Sequence, residues 1–336
     1  MPTTINALAM DRRLGEAERS AADRRQARTL AAVEAMGGIA TCSCNPFSQA
    51  VLPLFGENVA WSESGTAPFL NSILGARSNR EGVSALASAL TGLTPHYGMH
   101  LDQARRGQAL VNVTAEIAGV DGWGLLGLHL ARRWPGRIPV LRGLARPGFD
   151  EAVALSAAFA IAGSAPMFHI LGVTPEAPDL AAVFPAGPPP AAEQATDEDL
   201  AAERKRLEAG DAGAVDLVAL GCPHASLAQL MEIERLLAGR PLRAACVAHT
   251  NHSVWGVAQA SGLAARLAAA GVRVTVDRMC WGCDFPDRAS DSGKVIATNS
   301  AKLAFVAPGS RGAQVRYGSA AACVEAAVSG RWGGGS

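Results

Sequence analysis

The stretch Ala214–Cys280, AVDLVALGCPHASLAQLMEIERLLAGRPLRAACVAHTNHSVWGVAQASGLAARLAAAGVRVTVDRMC, decides the fold. AVDLVALGC is a short apolar run ending at Cys222, and a helical pattern follows over 223–237. LRAACVAHT repeats the arrangement, ending at Thr250 ahead of a helical pattern over 253–270. VRVTVDRMC then ends at Cys280, and further on KVIAT ends at Thr298 with a helix starting near Asn299-Ser300. Short apolar runs alternating with amphipathic segments are the signature of a parallel sheet with crossover helices. Cys222, Cys280 and the Asn299-Ser300 turn therefore all fall just past the carboxyl ends of strands. That is where open α/β sheets bind ligands.

Working back toward the N-terminus, AAEQATDED is preceded by a proline-rich run, and the whole segment 174–199 reads as a linker or surface excursion. It divides an N-terminal lobe, 1–173, from a C-terminal α/β lobe, 200–332. Within the first lobe a helix is expected over 15–36, stopped by Gly37-Gly38, with a short strand at Ile39–Thr41. Further helices are expected over 82–90, 123–133 and 149–162, and a half-buried strand over 109–117; a charged surface helix spans 197–209.

The chain has 336 residues, 49% hydrophobic and 18% charged, with a formal net charge of zero. Balanced charge gives no electrostatic case for nucleic acid or an anionic membrane. No apolar run of about 18 residues escapes interruption by charge, glycine or proline, so no spanning helix is expected. The polar N-terminus fits neither a signal nor a transit peptide, which points to the cytoplasm and to reduced thiols. Richness in alanine, glycine and arginine with little lysine reads as a high-GC bacterial genome.

The seven cysteines are at 42, 44, 222, 246, 280, 283 and 323. Cys280-Trp-Gly-Cys283 admits several readings. A redox dithiol wants its first cysteine at a helix N-terminus, whereas Asp-Phe-Pro-Asp-Arg after Cys283 is a turn. A structural zinc site could pair it with Cys42-x-Cys44, yet a lobe with this much sheet and helix has no need of one. Cys280 could also be a buried apolar thiol. A fourth reading takes one sulfur from each of three segments, Cys44 (or Cys42), Cys222 and Cys280, to hold an iron or iron–sulfur centre with one open position. Such an iron is a Lewis acid for a substrate hydroxyl. Cys246, mid-strand, and Cys323, mid-helix, read as packing residues.

GIATCSCNPF, GENVAWSESGTAPFLNSILGARSNREGVSALASALTGLTPHYGMHLD, LGCPHASLAQL, HTNHSVW and KVIATNSAKLAFVAPG together resemble the large, catalytic portion of the aconitase X family. The resemblance runs in order over nearly the whole chain. It implies an aconitase-like α/β core of two lobes with parallel β-α-β sheets and a site at the strand carboxyl ends. It also implies a dehydratase, acting on cis-3-hydroxy-L-proline or on 5-phosphomevalonate. Its iron–sulfur cluster, or alternatively a mononuclear iron, would be held by Cys44, Cys222 and Cys280, which leaves Cys283 outside the ligand set.

The same resemblance implies that Glu63 and Ser64 contact substrate. Lys302 serves with Asn299 and Ser300 at a helix N-terminus suited to an anion, and Arg77, Asn79 and Arg80 line or orient the pocket. His100, His224, His249 and His252 are candidates for supporting hydrogen bonds. The family further implies a small swivelling domain, here expected on a separate chain and carrying a serine that abstracts the substrate proton. The family's large portion starts with a Ser/Ala/His-rich segment that does not precede Met1-Pro-Thr-Thr here. The competing expectation is accordingly a cluster-binding subunit that is catalytically incomplete.

Overall fold

The computed structural model describes residues 2–49, 51–63, 65–163, 165–208, 213–280 and 292–333. It divides into two compact units: Leu52–Arg206, and Pro2–Val51 together with the chain from Leu207 onward. Each contains a parallel sheet with helices, the α/β class expected.

In the first unit, strands β1 (Ala109–Val113), β2 (Pro139–Arg142), β3 (His169–Ile170) and β4 (Glu193–Ala195) form a sheet of order β3-β2-β1-β4, all pairs parallel. After α1 (Ala21–Ala35), which belongs to the other unit, come α2 (Ser84–Thr91), α3 (Gly119–Arg133), α4 (Phe149–Gly163), α5 (Leu180–Val183) and α6 (Asp197–Leu207). Helix α4 is apolar nearly all round and buried, with Leu155, Ala158 and Phe159 fully covered. It packs closely on α3 because Gly127 leaves room: a Cβ there would lie 2.5 Å from the Leu155 carbonyl oxygen.

In the second unit, β5 (Leu217–Leu220), β6 (Ala245–Thr250), β7 (Arg273–Val276), β8 (Val295–Thr298) and β9 (Gln314–Tyr317) form a parallel sheet of order β7-β6-β5-β8-β9. Its helices are α7 (Leu227–Leu237), α8 (His252–Ala260), α9 (Leu263–Ala269), α10 (Ala301–Arg311) and α11 (Ala320–Ser329). Serines 226, 300 and 319 and Asn251 cap the N-termini of α7, α10, α11 and α8 through their side chains. The core joins Val218, Leu220, Leu230, Ile233, Leu267, Val324 and Trp332 with Cys246 and Cys323, so both cysteines are packing residues as expected.

The observed division differs from the lobes expected at 1–173 and 200–332. Residues 2–51 belong with the C-terminal sheet, because the N-terminal segment runs along the free edge of β7: Leu8 N–H donates to Asp277 O at 2.8 Å and Arg12 N–H to Val276 O at 3.2 Å. The segment 174–199 is not a linker either, since it contains α5 and supplies β4 to the sheet beside β1. Ile39 forms only a single bridge, to Thr4, rather than a strand. The helix expected over 253–270 is two, broken where Gly262 turns left-handed at φ +72°. Among the described residues, no helix is long and apolar enough to cross a membrane.

Candidate functional site

In the second unit's sheet, the chain winds from β5 outward to β6 and β7, then returns to lay β8 and β9 on the other side of β5. The order reverses between β5 and β8, and the crevice beyond their carboxyl ends is the expected ligand position. Cys222 follows β5 and Ser300 follows β8; the Ser300 hydroxyl donates to the Cys222 carbonyl and accepts from Leu303 N–H at 3.0 Å. One side chain thus caps α10 and fastens the Cys222 turn. Gly221 is required beside it: at φ +81°, a Cβ would lie 2.2 Å from His249 O.

His224 connects the three cysteine segments. Its carbonyl accepts from Asn45 Nδ2 at 3.0 Å, next to Cys44, and its ring Nε2 lies 2.9 Å from Arg278 O, two residues before Cys280. Burial, reinforced by His249 and the Lys302 charge, pushes the imidazole down to about 4, so the ring is neutral at ordinary pH. A carbonyl only accepts, so Nε2 carries the proton. Its Nδ1 and Asn45 Oδ1 are then buried acceptors without a hydrogen-bond partner among the described residues.

Cys222 and Cys280 meet: their sulfurs are bonded as a disulfide, with Cα atoms 6.0 Å apart. The expectation of reduced thiols is not met at this pair, because the turns after β5 and β7 arch toward each other across the end of β6. Cys42, Cys44, Cys246 and Cys323 are all buried. Among the described residues, no group of three or more His, Cys, Asp or Glu side chains is arranged to hold a metal ion. Cys283 lies outside the described residues. Lys302 is buried rather than a surface lysine, and Asn299 is half-buried.

In the first unit, the stretch 76–81 is pinned from both sides. Asn58 and Trp61 bridge to Arg77 and Arg80, and Asn71, inside the π-helical turn Phe69–Leu74, donates to Ser78 O at 2.8 Å and accepts from Ser78 N–H at 3.0 Å. Arg77 is bound to His100 O and to the Asp102 carboxylate, and Asn79 holds Tyr97 O and Met99 N–H. Both are therefore committed to shaping the 97–102 loop. Arg80 differs: it is half-buried, burial lowers its pKa, and Glu63 opposes that shift, so the two sense each other's charge. Glu63 Oε1 also accepts from Gly65 N–H at 2.9 Å. Ser64 lies outside the described residues. Asn71 was not singled out in the sequence.

Parallel α/β sheets with a cysteine-bearing turn at a topological switch point define a class, and comparison with known proteins specifies it. Domain models described as aconitase X first, second and third domain match residues 1–103, 107–205 and 215–329. The chain belongs to the aconitase X family. It is 37% identical over 340 residues to a cis-3-hydroxy-L-proline dehydratase of Pseudomonas aeruginosa, which covers 98% of this chain and 58% of that protein. It is 36% identical over 325 residues to a phosphomevalonate dehydratase large subunit of Methanothermobacter thermautotrophicus, covering 94% of this chain and 77% of that one. A crystal structure of Thermococcus kodakaraensis aconitase X in its holo-form superposes with a TM-score of 0.81 at 30% identity, over 93% of this chain and 78% of that one. The chain thus spans less than two thirds of the hydroxyproline-dehydrating relative.

Proposed function

We propose that this chain is the catalytic portion of an aconitase X-type hydro-lyase that dehydrates a small hydroxy acid, cis-3-hydroxy-L-proline first, in the cytoplasm, with an iron–sulfur centre held by Cys44, Cys222 and Cys280. The observation that carries the reading is the bonding of His224, which ties the turn bearing Cys222 to the Asn45 segment and to the Arg278 segment. Thiols on three fastened turns are a donor set suited to iron, and the unpaired Nδ1 and Oδ1 beside them are acceptors awaiting a donor. Bonded to each other, Cys222 and Cys280 cannot ligate, so the disulfide and the centre are alternative states of the same sulfurs. When bound, a centre with one open iron supplies a Lewis acid for a departing hydroxyl.

The chain's own residues divide the remaining work. Ser300 fixes the Cys222 turn, and Lys302, in the first turn of α10, adds its charge to the helix N-terminus as partner for a substrate carboxylate, with Asn299 alongside. Glu63, Ser64 and Arg80 contact substrate, while Arg77 and Asn79, bonded to the 97–102 loop, anchor the 76–81 stretch that carries Arg80. A base on a small swivelling subunit removes the proton α to the carboxylate. Loss of the 3-hydroxyl then gives an enamine that tautomerises to 1-pyrroline-2-carboxylate.

A second reading, phosphomevalonate dehydratase large subunit, is favoured by one observation: the chain spans 77% of that relative, against 58% of the hydroxyproline one. The test is to incubate the chain, reduced, loaded with iron and sulfide and mixed with a small subunit, with each substrate and follow products by NMR. Consumption of cis-3-hydroxy-L-proline with pyrroline formation is expected. Consumption of 5-phosphomevalonate alone would select the second reading, and consumption of neither would contradict both.

A further inference from the structure

A buried aspartate and a half-exposed histidine sit at the end of β6 and β7, and the functions assigned above do not use them. The Asp277 side chain is fully buried, and its Oδ1 accepts from the backbone N–H of His252 at 2.9 Å. The His252 ring Nδ1 lies 3.1 Å and 3.2 Å from the two carboxylate oxygens. A carboxylate oxygen accepts, so Nδ1 carries the proton and the ring is fixed in one tautomer. Nε2 faces away on a side chain that is 43% exposed, with no hydrogen-bond partner among the described residues. On the far side of Asp277, Arg12 Nη1 is 3.5 Å from Oδ2.

The backbone around this carboxylate is held in an unfavourable shape. Cys42, Ala238 and Asp277 are the non-glycine residues with positive φ among those described, and two of them, Cys42 at +44° and Asp277 at +64°, belong to this cluster, since Cys42 feels the Asp277 charge. Such conformations are costly and concentrate at functional sites. The position is also telling. His252 opens the helix after β6, the strand that lies between those leading to Cys222 and Cys280. Asp277 N–H donates to Thr250 O at 2.9 Å, which closes the carboxyl ends of β6 and β7 onto one another.

We propose that His252, at the carboxyl end of β6, is the proton donor of the reaction and that Asp277 is its positioning residue. Resting on the dehydratase reading, the step is this: imidazolium Nε2–H gives its proton to the departing hydroxyl as the C–O bond breaks with its electron pair on oxygen, so water leaves. The C–H pair becomes the new double bond, and the carbon-bound proton goes to the base. His252, left neutral, regains a proton from solvent through its exposed face while the base releases one, so the net loss is water alone. Asp277 stabilises the imidazolium and prevents the ring from turning.

Two measurements test the role. Nitrogen-15 NMR of the histidine-labelled chain is expected to show His252 protonated at Nδ1 and bare at Nε2 when neutral, with that preference lost in Asp277→Asn. In the loaded enzyme, His252→Gln is expected to lower kcat by about 100-fold or more with KM changed less than twofold, in the range for a lost general acid, with iron content unchanged. Should Asp277→Asn fail to fold, His252→Gln, at a half-exposed position, still decides the matter. Wild-type His252 protonated at Nε2, or an undiminished kcat in His252→Gln, would overturn the role of His252 alone. A wild-type enzyme that dehydrates neither substrate would overturn the functional reading and this step with it.

Discussion

His224 does at the residue scale what a strand-end turn cannot do by itself. Neutral because it is buried, it donates from Nε2 to Arg278 O and accepts through its carbonyl from Asn45, so two distant segments are fixed to the turn that carries Cys222. The cysteines divide by environment in the same way. Burial, with the Asp277 charge adding to it, pushes the Cys42 thiol up to about 12, and burial alone does the same for Cys246. Neither is a thiolate at pH 8, and the thiolate is the reactive form. Alkylation at pH 8 followed by peptide mass mapping is therefore expected to leave Cys42 and Cys246 unlabelled in the folded chain and to label both in denaturant; rapid labelling of either in the folded chain would contradict the burial.

Cys222 and Cys280 were legible from their places after β5 and β7, whereas the strand expected before Cys44 is only a single bridge. Asp277 was not legible, because its importance lies in a positive φ and a contact with His252, 25 positions away, and neither leaves a local signal.

At the scale of elements, the strands that could be read are those bounded by clear punctuation. β5, β6, β7 and β8 each carry an apolar run, closed by glycine, by an N-cap residue or by a cysteine turn. β3 and β4, two and three residues long, offer no pattern to detect, and β4 follows a proline-rich run that argues for a loop. Pairing with β1 makes β4 a strand, and that is a tertiary effect.

The stretch that carries Arg80 depends on an element of another kind. Arg105, buried, donates from Nη1 to Asn71 Oδ1 and Met99 O at 3.0 Å each, from Nη2 to Asn71 O and Ala76 O, and from Nε to both Glu176 oxygens at 2.9 Å. Its guanidinium thereby fastens the π-helical turn and the start of the 76–81 stretch. Arg105→Ala leaves those carbonyls and the Glu176 carboxylate without their donor, and is expected to destabilise the first unit by about 3–5 kcal/mol. Denaturant unfolding checks this. A loss below about 1 kcal/mol, the worth of an ordinary hydrogen bond, would mean that water replaces the guanidinium and that the hub is not structural.

At the scale of the whole molecule, the sequence order of domains and the spatial grouping differ. A linear reading cuts the chain at its most polar segment, yet residues 2–51 fold with the C-terminal sheet, and Leu52–Arg206 is inserted in sequence between the two parts of that other unit. Edge pairing along β7 is set by contacts some 270 positions apart in the chain, Leu8 to Asp277, and periodicity within a window cannot register it. Of the residues singled out in the sequence, Glu63, Arg77, Asn79 and Arg80 fall in one unit, and Cys44, Cys222, Cys280, Asn299, Ser300 and Lys302 fall in the other.

The central claim is that Cys44, Cys222 and Cys280 hold an iron–sulfur centre and Cys283 does not. It is tested most directly by iron and acid-labile sulfide per chain, on anaerobically purified wild type, Cys222→Ala and Cys283→Ala. Iron and sulfide present in wild type and Cys283→Ala but lost in Cys222→Ala is the predicted result. Equal loss in both variants, or zinc without sulfide, would contradict it.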